Sequence, residues 1–445
     1  MKRSPILFLC LAVCLLGGCI RPPAPSATEA SKQINYSEQT VSSIQTLADG
    51  NIAAFYQLFD DNLKKELSQQ ELQTLWNDLI SQYGAFQYYQ SDITITSKDN
   101  NQIASVPCVF ANGTVTFQLT FNAEGLISGF YTVEESYMSE STRLKNDTEI
   151  SFGTDAYPLS GSLTLPEGTG PFPVVILVSG YGAQDRNEQL GPNLPFLNLA
   201  EQLSSQGIAV LRYDKRSYTY ARELAQKENF TVYEETIDDV AAAVSFLKTL
   251  NTIQSDGIYI AGHCLSGYLM PRIAEVTPDA AGYIFLAASA RPLEDILLDE
   301  TVYILNTESN LDKAGKEKIL TQVQTMSDNV KNLTGDSSLS SEELFDFPVS
   351  YWLSLQNYAP LEEIKQVDKP LLFLHGGRDY QVPASEMDLW KEALSGKNNA
   401  QFLYYDNLNH LFMSGTGKST PTEFQQKGTV NTQVSEDLAA FIHRH

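Results

Sequence analysis

The chain has 445 residues, more than one compact core usually contains, so its length predicts two domains. Hydrophobic residues make up 42% of the sequence and charged residues only 19%, a balance typical of a folded globular protein. The formal net charge of −24 would repel nucleic acid and anionic lipid headgroups. We therefore expect neither as a partner.

The N-terminal residues are typical of an export signal. Two basic residues precede the apolar run ILFLCLAVCLL (6–16), which is shorter than the ~20 residues needed to span a bilayer. The stretch LGGC (16–19) resembles the lipobox of bacterial lipoproteins. This resemblance implies a signal peptide over residues 1–18, cleavage before Cys19 and a lipid on its sulfur. An ordinary secretory signal, cut nearby without a lipid, is the alternative.

Residues 19–36 contain several Pro and Ser residues and predict a flexible tether. The mature protein would then be exported and lipid-anchored to the outer face of the bacterial cell membrane, with this anchor as its only membrane contact. Two thiols would remain in it, Cys108 and Cys264. We expect no disulfide between them, because they fall in different predicted domains.

Residues 37–138 predict a small α+β domain. Helical patterns come first, and Gly50 and a Ser68 cap mark the boundaries between them. After Gly84 the chain alternates apolar and polar residues between Asp-Asn, Asn-Gly and Glu-Gly turns, which predicts a β-meander. The segment resembles the small cone-shaped domain, like nuclear transport factor two, that precedes the catalytic domain in some bacterial esterases. It carries no catalytic constellation, so we interpret it as a spacer or substrate-rim domain.

Residues 141–445 predict an α/β domain. Polar, strand-like residues 141–168 favour an antiparallel edge hairpin, and apolar runs then alternate with helical patterns. The runs are FPVVILVSG (172–180), GIAVLRYD (207–214), GIYIAGHC (257–264), AAGYIFLAA (280–288), KPLLFLHGG (369–377) and AQFLYYDN (400–407). This order predicts a doubly wound, mostly parallel sheet. Residues from about 291 to 360 are helical without a strand, which predicts an inserted cap over the carboxyl edge of the sheet.

Three unusual residues follow strands of this predicted sheet. Cys264 ends one strand in GHCLS, where the small Gly262 and Ser266 would permit a tight strand-to-helix turn around a nucleophile. Asp379 and His410 follow two later strands. Ligands of open α/β sheets bind at the carboxyl ends of strands. We therefore predict a Cys-His-Asp catalytic triad.

The other histidines are weaker candidates for the catalytic base. His263 adjoins the nucleophile, but neighbouring side chains on such a turn diverge. We interpret His375 as a packing residue and expect the terminal His443 and His445 to be solvated. Asp379 could instead be a surface turn residue, although its loop offers few other acids.

The loop VSGYGAQDRNEQLG (178–191) after the first strand of the parallel series should supply the oxyanion hole. The backbone N–H groups of Tyr181 and Leu265 are the predicted donors. The charged residues in this loop and in RYDKR (212–216) are expected to position loops through salt bridges and not to take part in the chemistry.

From about residue 145 to its end the chain resembles the α/β-hydrolase superfamily, and more narrowly the EstD-type bacterial carboxylesterases. The segments that carry this resemblance are GPNLPFLNLAEQLSSQGIAVLRYDKRS (191–217) and GHCLSG (262–267). Together with the resemblance of the small domain, this resemblance covers nearly all of the mature chain. The family usually has histidine where Ser179 stands and serine where Cys264 stands. Dienelactone hydrolases use Gly-x-Cys-x-Gly on this fold, which implies that a thiol can be the nucleophile.

The sequence thus predicts an extracytoplasmic hydrolase of small-molecule carboxylic esters or thioesters that needs no metal or organic cofactor. A helix N-terminus and a nearby imidazole commonly lower a thiol pKa, so we expect Cys264 to be a thiolate at neutral pH. One alternative is an acyltransferase that passes the acyl group to an amine or alcohol. The other is a catalytically silent binding lipoprotein in which Cys264 replaces a lost serine. The oligomeric state stays open.

Overall fold

The computed structural model describes most of the chain after the predicted tether. The described residues are 35–83, 86–89, 93–98, 101–110, 113–135, 143–154, 156–220, 223–224, 227, 229–307 and 312–445. The predicted signal peptide and Cys19 lie outside them. The chain forms two compact units, residues 1–141 and 142–445. Among the described residues, no helix combines the length and apolar character needed to cross a membrane.

Unit 1 places helices before an antiparallel sheet. The helices are α1 (Tyr36–Ala48), α2 (Ile52–Gln57), α3 (Leu63–Glu66) and α4 (Gln69–Tyr83). The strands are β1 (Phe86–Tyr89), β2 (Thr94–Lys98), β3 (Asn101–Phe110), β4 (Gly113–Phe121) and β5 (Ile127–Glu135). They pair in the order β1-β3-β4-β5, with β2 also paired to β3.

Local sequence explains these elements. Ser68 caps α4 as predicted: the Glu71 N–H donates to Ser68 Oγ at 3.3 Å, and the Ser68 N–H donates to Glu71 Oε2 at 2.9 Å. Every second residue of β3 is buried against the helices, including Val106 and Cys108. Cys108 is therefore a core residue of unit 1, and burial raises the pKa of its thiol to about 12.

Unit 2 is built on one eight-stranded sheet. Its strands are β6 (Asp147–Thr154), β7 (Tyr157–Thr164), β8 (Phe172–Val178), β9 (Ala209–Tyr213), β10 (Ile253–His263), β11 (Gly282–Leu286), β12 (Leu371–Gly376) and β13 (Ala400–Tyr405). Their order is β13-β12-β11-β10-β8-β9-β7-β6. β6 and β7 form an antiparallel hairpin at one edge, and β8 to β13 are parallel. The predicted α/β fold with a mostly parallel sheet is confirmed.

Helices connect and cover these strands. They are α5 (Pro195–Ser204), α6 (Arg216–Thr219), α7 (Asp238–Leu247), α8 (Leu265–Tyr268), α9 (Met270–Val276), α10 (Leu293–Thr307), α11 (Lys313–Lys331), α12 (Val349–Leu355), α13 (Pro360–Glu363), α14 (Ser385–Ala393) and α15 (Thr432–Arg444). The apolar sides of α5 and α15 join the buried face of β8 to β12 in one core. The helices α10 to α13 lie between β11 and β12 in the chain, and we call residues 291–360 the cap segment. Its described part contains no strand.

Candidate active site

Cys264 occupies a strained turn between β10 and α8. Its φ of 51° and ψ of −114° are a conformation that residues other than glycine rarely adopt. Small neighbours make the turn possible. A Cβ atom on Gly262 would lie 2.6 Å from the Ser266 carbonyl carbon, and one on Gly180 would lie 2.9 Å from Cys264 Cβ. The Ser266 hydroxyl donates to the Ser179 carbonyl at 2.5 Å and fastens the turn to the end of β8.

The Cys264 thiol is held in its protonated form. Burial, reinforced by the negative charges of Glu188 and Asp379, raises its pKa to about 12, and a hydrogen bond from the Leu265 N–H offsets this only in part. The prediction of a thiolate at neutral pH is therefore wrong. The physical reason is that burial and the negative charges of nearby carboxylates outweigh the stabilisation of a thiolate by the Leu265 N–H at the start of α8.

Asp379 and His410 are brought together at the carboxyl edge of the sheet. His410 Nδ1 lies 2.7 Å from Asp379 Oδ2, and both residues are buried. The other carboxylate oxygen, Oδ1, accepts the N–H groups of Gln381 at 2.9 Å and Val382 at 3.0 Å. Although burial opposes its charge, His410 and these contacts hold the pKa of Asp379 below its usual value. Asp379 is thus an anion that orients the His410 ring.

A second set of contacts fixes the two loops that carry this pair. The Arg378 guanidinium donates to both carboxylate oxygens of Glu423, at 2.9 and 2.6 Å. Asn409 Nδ2 donates to Glu423 Oε1 at 3.1 Å, and Asn409 Oδ1 accepts the N–H groups of Leu411 and Met413. The neighbours of Asp379 and His410 are therefore joined through Glu423. The sequence analysis did not identify this support.

The predicted oxyanion donors come from two segments next to the Cys264 turn. Leu265 follows it directly, and Tyr181 follows Gly180, whose backbone approaches the Cys264 side chain. The Tyr181 hydroxyl donates to the Phe345 carbonyl of the cap segment at 3.1 Å. The Gly180 carbonyl accepts from Lys215 Nζ at 2.8 Å. The peptide group that presents the Tyr181 N–H is therefore held from one side by a buried lysine.

Two expectations, for His375 and for the salt bridges of the charged loops, agree with the structure. His375 is buried, with Nε2 3.1 Å from the Val382 carbonyl, so it is a packing residue of the Asp379 loop. Arg186 pairs with Asp214 at 2.7 Å and with Glu149 at 2.8 Å, in keeping with the expected salt bridges that position loops.

Within the described part of the chain, no cluster of three or more His, Cys, Asp or Glu side chains could hold a metal ion.

Two acidic residues of the site were missed by sequence reasoning. Glu188, in the loop after β8, lies 2.9 Å from His263 Nδ1. Glu300, on the cap helix α10, accepts a hydrogen bond from Gln381 Nε2 at 3.1 Å. Burial raises the pKa of Glu300 to about 7, and its charge reaches Cys264 and Tyr181. Glu188 lies in an irregular loop well past the end of β8, and Glu300 lies on an inserted helix, so no motif in the sequence marks either of them as a site residue.

Comparison with known proteins assigns this chain to a family. Residues 196–427 match the model of the prolyl oligopeptidase family. That match covers more than half of the chain. The chain belongs to the prolyl oligopeptidase family. The chain is also 32% identical over 405 residues to Esterase EstD of Thermotoga maritima. The aligned region covers 90% of this chain and 93% of the relative.

Solved structures with a similar fold are more distant. Est1E from Butyrivibrio proteoclasticus is 17% identical, with 67% of this chain and 99% of that chain covered and a TM-score of 0.43. An esterase from Pyrococcus furiosus is 16% identical, with 70% and 95% covered and a TM-score of 0.44. Residues 41–130 match a family described only as a protein of unknown function, so the likeness of unit 1 to nuclear transport factor two stays a prediction.

Proposed function

We propose that the protein is an exported, lipid-anchored hydrolase that cleaves carboxylic esters or thioesters through an acyl-enzyme on Cys264. At the level of enzyme class the protein is a carboxylic ester hydrolase, as its family and its identity to Esterase EstD indicate. The observation that carries the mechanism is the 2.7 Å contact of His410 with Asp379, at the same edge of the sheet as the strained strand-to-helix turn of Cys264.

In the proposed acylation step, His410 acts as the general base. It takes the thiol proton of Cys264 as the sulfur attacks the acyl carbon, because the resting thiol is protonated. The carbonyl electrons move to oxygen, which the N–H groups of Tyr181 and Leu265 stabilise. When the carbonyl reforms, the bond to the leaving alkoxide or thiolate breaks, and His410 donates its proton to that group.

Deacylation repeats these transfers with water. His410 takes a proton from the water that attacks the thioester, and the Cys264 sulfur leaves with the electrons of the carbon–sulfur bond. The proton on His410 then returns to the thiolate, and the carboxylic acid product departs. Asp379 stays ionised throughout, because it stabilises the imidazolium form of His410 in both steps.

The test is hydrolysis of matched oxygen esters and thioesters of varied chain length by the wild type and by Cys264→Ala. Removal of the nucleophile should lower kcat by up to about 10⁶-fold. A variant that keeps the wild-type rate would refute the acyl-thioenzyme. An acyl product transferred to an added amine or alcohol in place of water would instead identify an acyltransferase.

The lipid anchor rests on the stretch LGGC (16–19), which lies outside the described residues. We expect Cys19→Ala to shift the protein from the membrane fraction to the soluble extracytoplasmic fraction, since the lipid would have no attachment point. Immunoblots of fractionated cells that express either form measure this. A Cys10→Ala variant is the control, because that cysteine would leave with the signal peptide. Equal membrane retention of all three forms would overturn the anchor.

A further inference from the structure

Glu188 lies in the loop after β8 in an unfavourable backbone conformation. Its φ is 51°, in the left-handed region that residues other than glycine rarely adopt. The turn points its carboxylate into the protein, where only 5% of the residue is exposed. There Oε1 accepts the Gly180 N–H at 2.6 Å, and Oε2 lies 2.9 Å from His263 Nδ1. Glu188 therefore contacts the residue before Tyr181 and the residue before Cys264.

His263 completes a bridge from this loop to His410. Its ring is buried, and its centroid lies 4.4 Å from that of His410. His263 Nε2 lies 3.0 Å from the His410 backbone carbonyl. A carbonyl oxygen can only accept, so Nε2 must carry a hydrogen. The bridge thus runs from the Gly180 N–H through Glu188 and His263 to the backbone of His410.

The second nitrogen of His263 faces a carboxylate. An unprotonated Nδ1 would set its lone pair against the negative Glu188 Oε2 at 2.9 Å, which is repulsive. The two atoms lack the alignment of a good hydrogen bond, so the contact is chiefly an attraction between charges. Protonation of both His263 nitrogens gives the His410 carbonyl a hydrogen-bond donor and gives the Glu188 carboxylate an opposite charge. The ring is then an imidazolium.

We propose that Glu188 and His263 form a buried ion pair that positions the predicted oxyanion loop against the predicted catalytic histidine. Both are positioning residues and neither exchanges a proton with the substrate. The inference rests on the proposed roles of Tyr181, Cys264 and His410, because the pair contacts the chain next to each of them. The ion pair also explains why Glu188 lies near Cys264, although the negative charge of Glu188 opposes ionisation of that thiol.

The groups that face His263 are consistent with a charged ring. Burial opposes the charge, but Glu188, the His410 carbonyl and the more distant Asp379 outweigh it and raise the pKa of His263. The rings of Phe196 and Phe412 also pack against it. Among the rings that contact it in the described part of the chain, the His410 imidazole is the only basic one. The ion pair is complete below the folded pKa of His263 and loses its positive member as the pH rises through it.

The first experiment measures the protonation of His263 without reference to catalysis. Untagged protein labelled with ¹⁵N-histidine has only five histidines, and His263→Gln identifies the resonances of this one. At pH 7 we expect both ring nitrogens to be protonated in the wild type. In Glu188→Gln the histidine should be neutral, because burial would no longer be opposed by a carboxylate. A wild-type ring with one bare nitrogen would overturn the ion pair.

The second experiment measures positioning. Glu188→Ala leaves the Gly180 N–H without an acceptor and His263 without its counter-charge. It should lower kcat by about 10²-fold with little change in KM. Glu188→Gln keeps an amide oxygen for Gly180, so it should recover part of this loss. Gln189→Ala is the matched control, because the side chain of Gln189 hydrogen-bonds the nearby Gly191 carbonyl and, within the described residues, donates to neither Gly180 nor His263. Rates are normalised to enzyme that can be acylated, so a misfolded fraction does not imitate the effect.

These outcomes separate the ion pair from the proposed function. If Cys264→Ala kept full activity, the acyl-thioenzyme would fail while the nitrogen spectra would still decide the charge of His263. If instead Glu188→Ala matched the wild type in kcat while Cys264→Ala was inactive, the positioning role would be wrong and the acyl-thioenzyme would stand.

Discussion

Gln381 Nε2 donates a hydrogen bond to Glu300 Oε1 across 3.1 Å and so joins the cap helix α10 to the loop of Asp379. The backbone N–H of the same Gln381 donates to Asp379 at 2.9 Å. Tyr303 and Tyr380 stack beside this contact with ring centroids 5.1 Å apart. One residue of the cap segment therefore presents a carboxyl group to the site, and its pKa is raised to about 7 by burial and by Asp379.

We expect Glu300 to select against substrates that carry a carboxylate. As the pH rises through about 7 it becomes an anion, so KM for an ester with an acidic acyl group should rise by about tenfold, or ~1.4 kcal/mol. KM for a neutral ester of equal size should stay level. Glu300→Gln should remove the pH dependence for the acidic ester. Steady-state kinetics between pH 5.5 and about 8.5 measure this.

The matched control for this substitution is Asp299→Asn, which removes the same charge from the exposed side of α10. The pH dependence should persist in it. An acidic ester whose KM ignores pH in the wild type would show that Glu300 does not face the substrate.

Glu300 should also leave a signature in stability. Its folded pKa of about 7 lies above the ordinary 4.5, so the folded state holds this proton more tightly than the unfolded state does. That contribution is complete below about pH 4.5 and is lost as the pH rises through about 7. Glu300→Gln should therefore raise the free energy of unfolding above pH 7 more than it does at pH 4.5. Urea unfolding at the two pH values compares them, and an equal change at both would contradict the raised pKa.

Alkylation should reveal the protonated thiol. With the pKa of Cys264 at about 12, the rate of modification by iodoacetamide should be low at pH 7 and should rise about tenfold per pH unit toward pH 10. Mass spectrometry of peptides that contain Cys264 or Cys108 measures the rates. Cys108 should stay unmodified while unit 1 is folded, because it is fully buried. Fast modification of Cys264 that is constant between pH 6 and about pH 9 would show a resting thiolate instead.

A second buried ion pair supports the predicted oxyanion loop through the Gly180 carbonyl. Lys215 Nζ contacts Glu235 Oε1 at 2.9 Å, and the hydroxyl of the cap residue Tyr351 donates to Glu235 Oε2 at 2.8 Å. Glu235→Ala should lower the free energy of unfolding by about 3–5 kcal/mol, since it leaves a buried lysine unpaired. It should also lower kcat, because Lys215 holds the Gly180 carbonyl.

Urea unfolding followed by tryptophan fluorescence measures this loss. Lys248→Ala is the control, because its partner Asp279 is largely exposed and solvent screens the pair. A change in Glu235→Ala no larger than in this control would show that Lys215 finds another partner.

The sequence predicted the residues whose positions follow from the sheet. Cys264 follows β10 directly, and Asp379 and His410 lie in the loops that follow β12 and β13. The carboxyl ends of parallel strands meet at one edge of a sheet, so these three residues come together there. Glu188 and Glu300 reach the same place from an irregular loop and from an inserted helix. Their positions depend on a left-handed turn and on cap packing, for which no periodic signal exists.

The pKa of the Cys264 thiol likewise depends partly on local sequence and partly on tertiary packing. The pattern GHCLS correctly places Cys264 before a helix, and a helix N-terminus favours a thiolate. The opposing burial and the charge of Glu188 are tertiary effects that the motif does not contain. The motif therefore predicts the turn and fails on the ionisation of the residue it carries.

The substitution that discriminates best between the readings of this site is Cys264→Ser. Because the resting thiol is protonated, the Cys264 thiol and the hydroxyl of Cys264→Ser both depend on His410 to remove a proton. The variant should therefore retain the general-base contribution of His410, which is about 10²–10⁴-fold. Ester hydrolysis should therefore fall by about 10²-fold, far less than in Cys264→Ala, while thioester hydrolysis falls further and reactivity toward fluorophosphonates appears. Cys108→Ala, in the core of unit 1, is the control and should keep wild-type rates. If the wild type hydrolysed nothing and Cys264→Ser became an esterase, the cysteine would be a lost serine and the protein a silent binding lipoprotein.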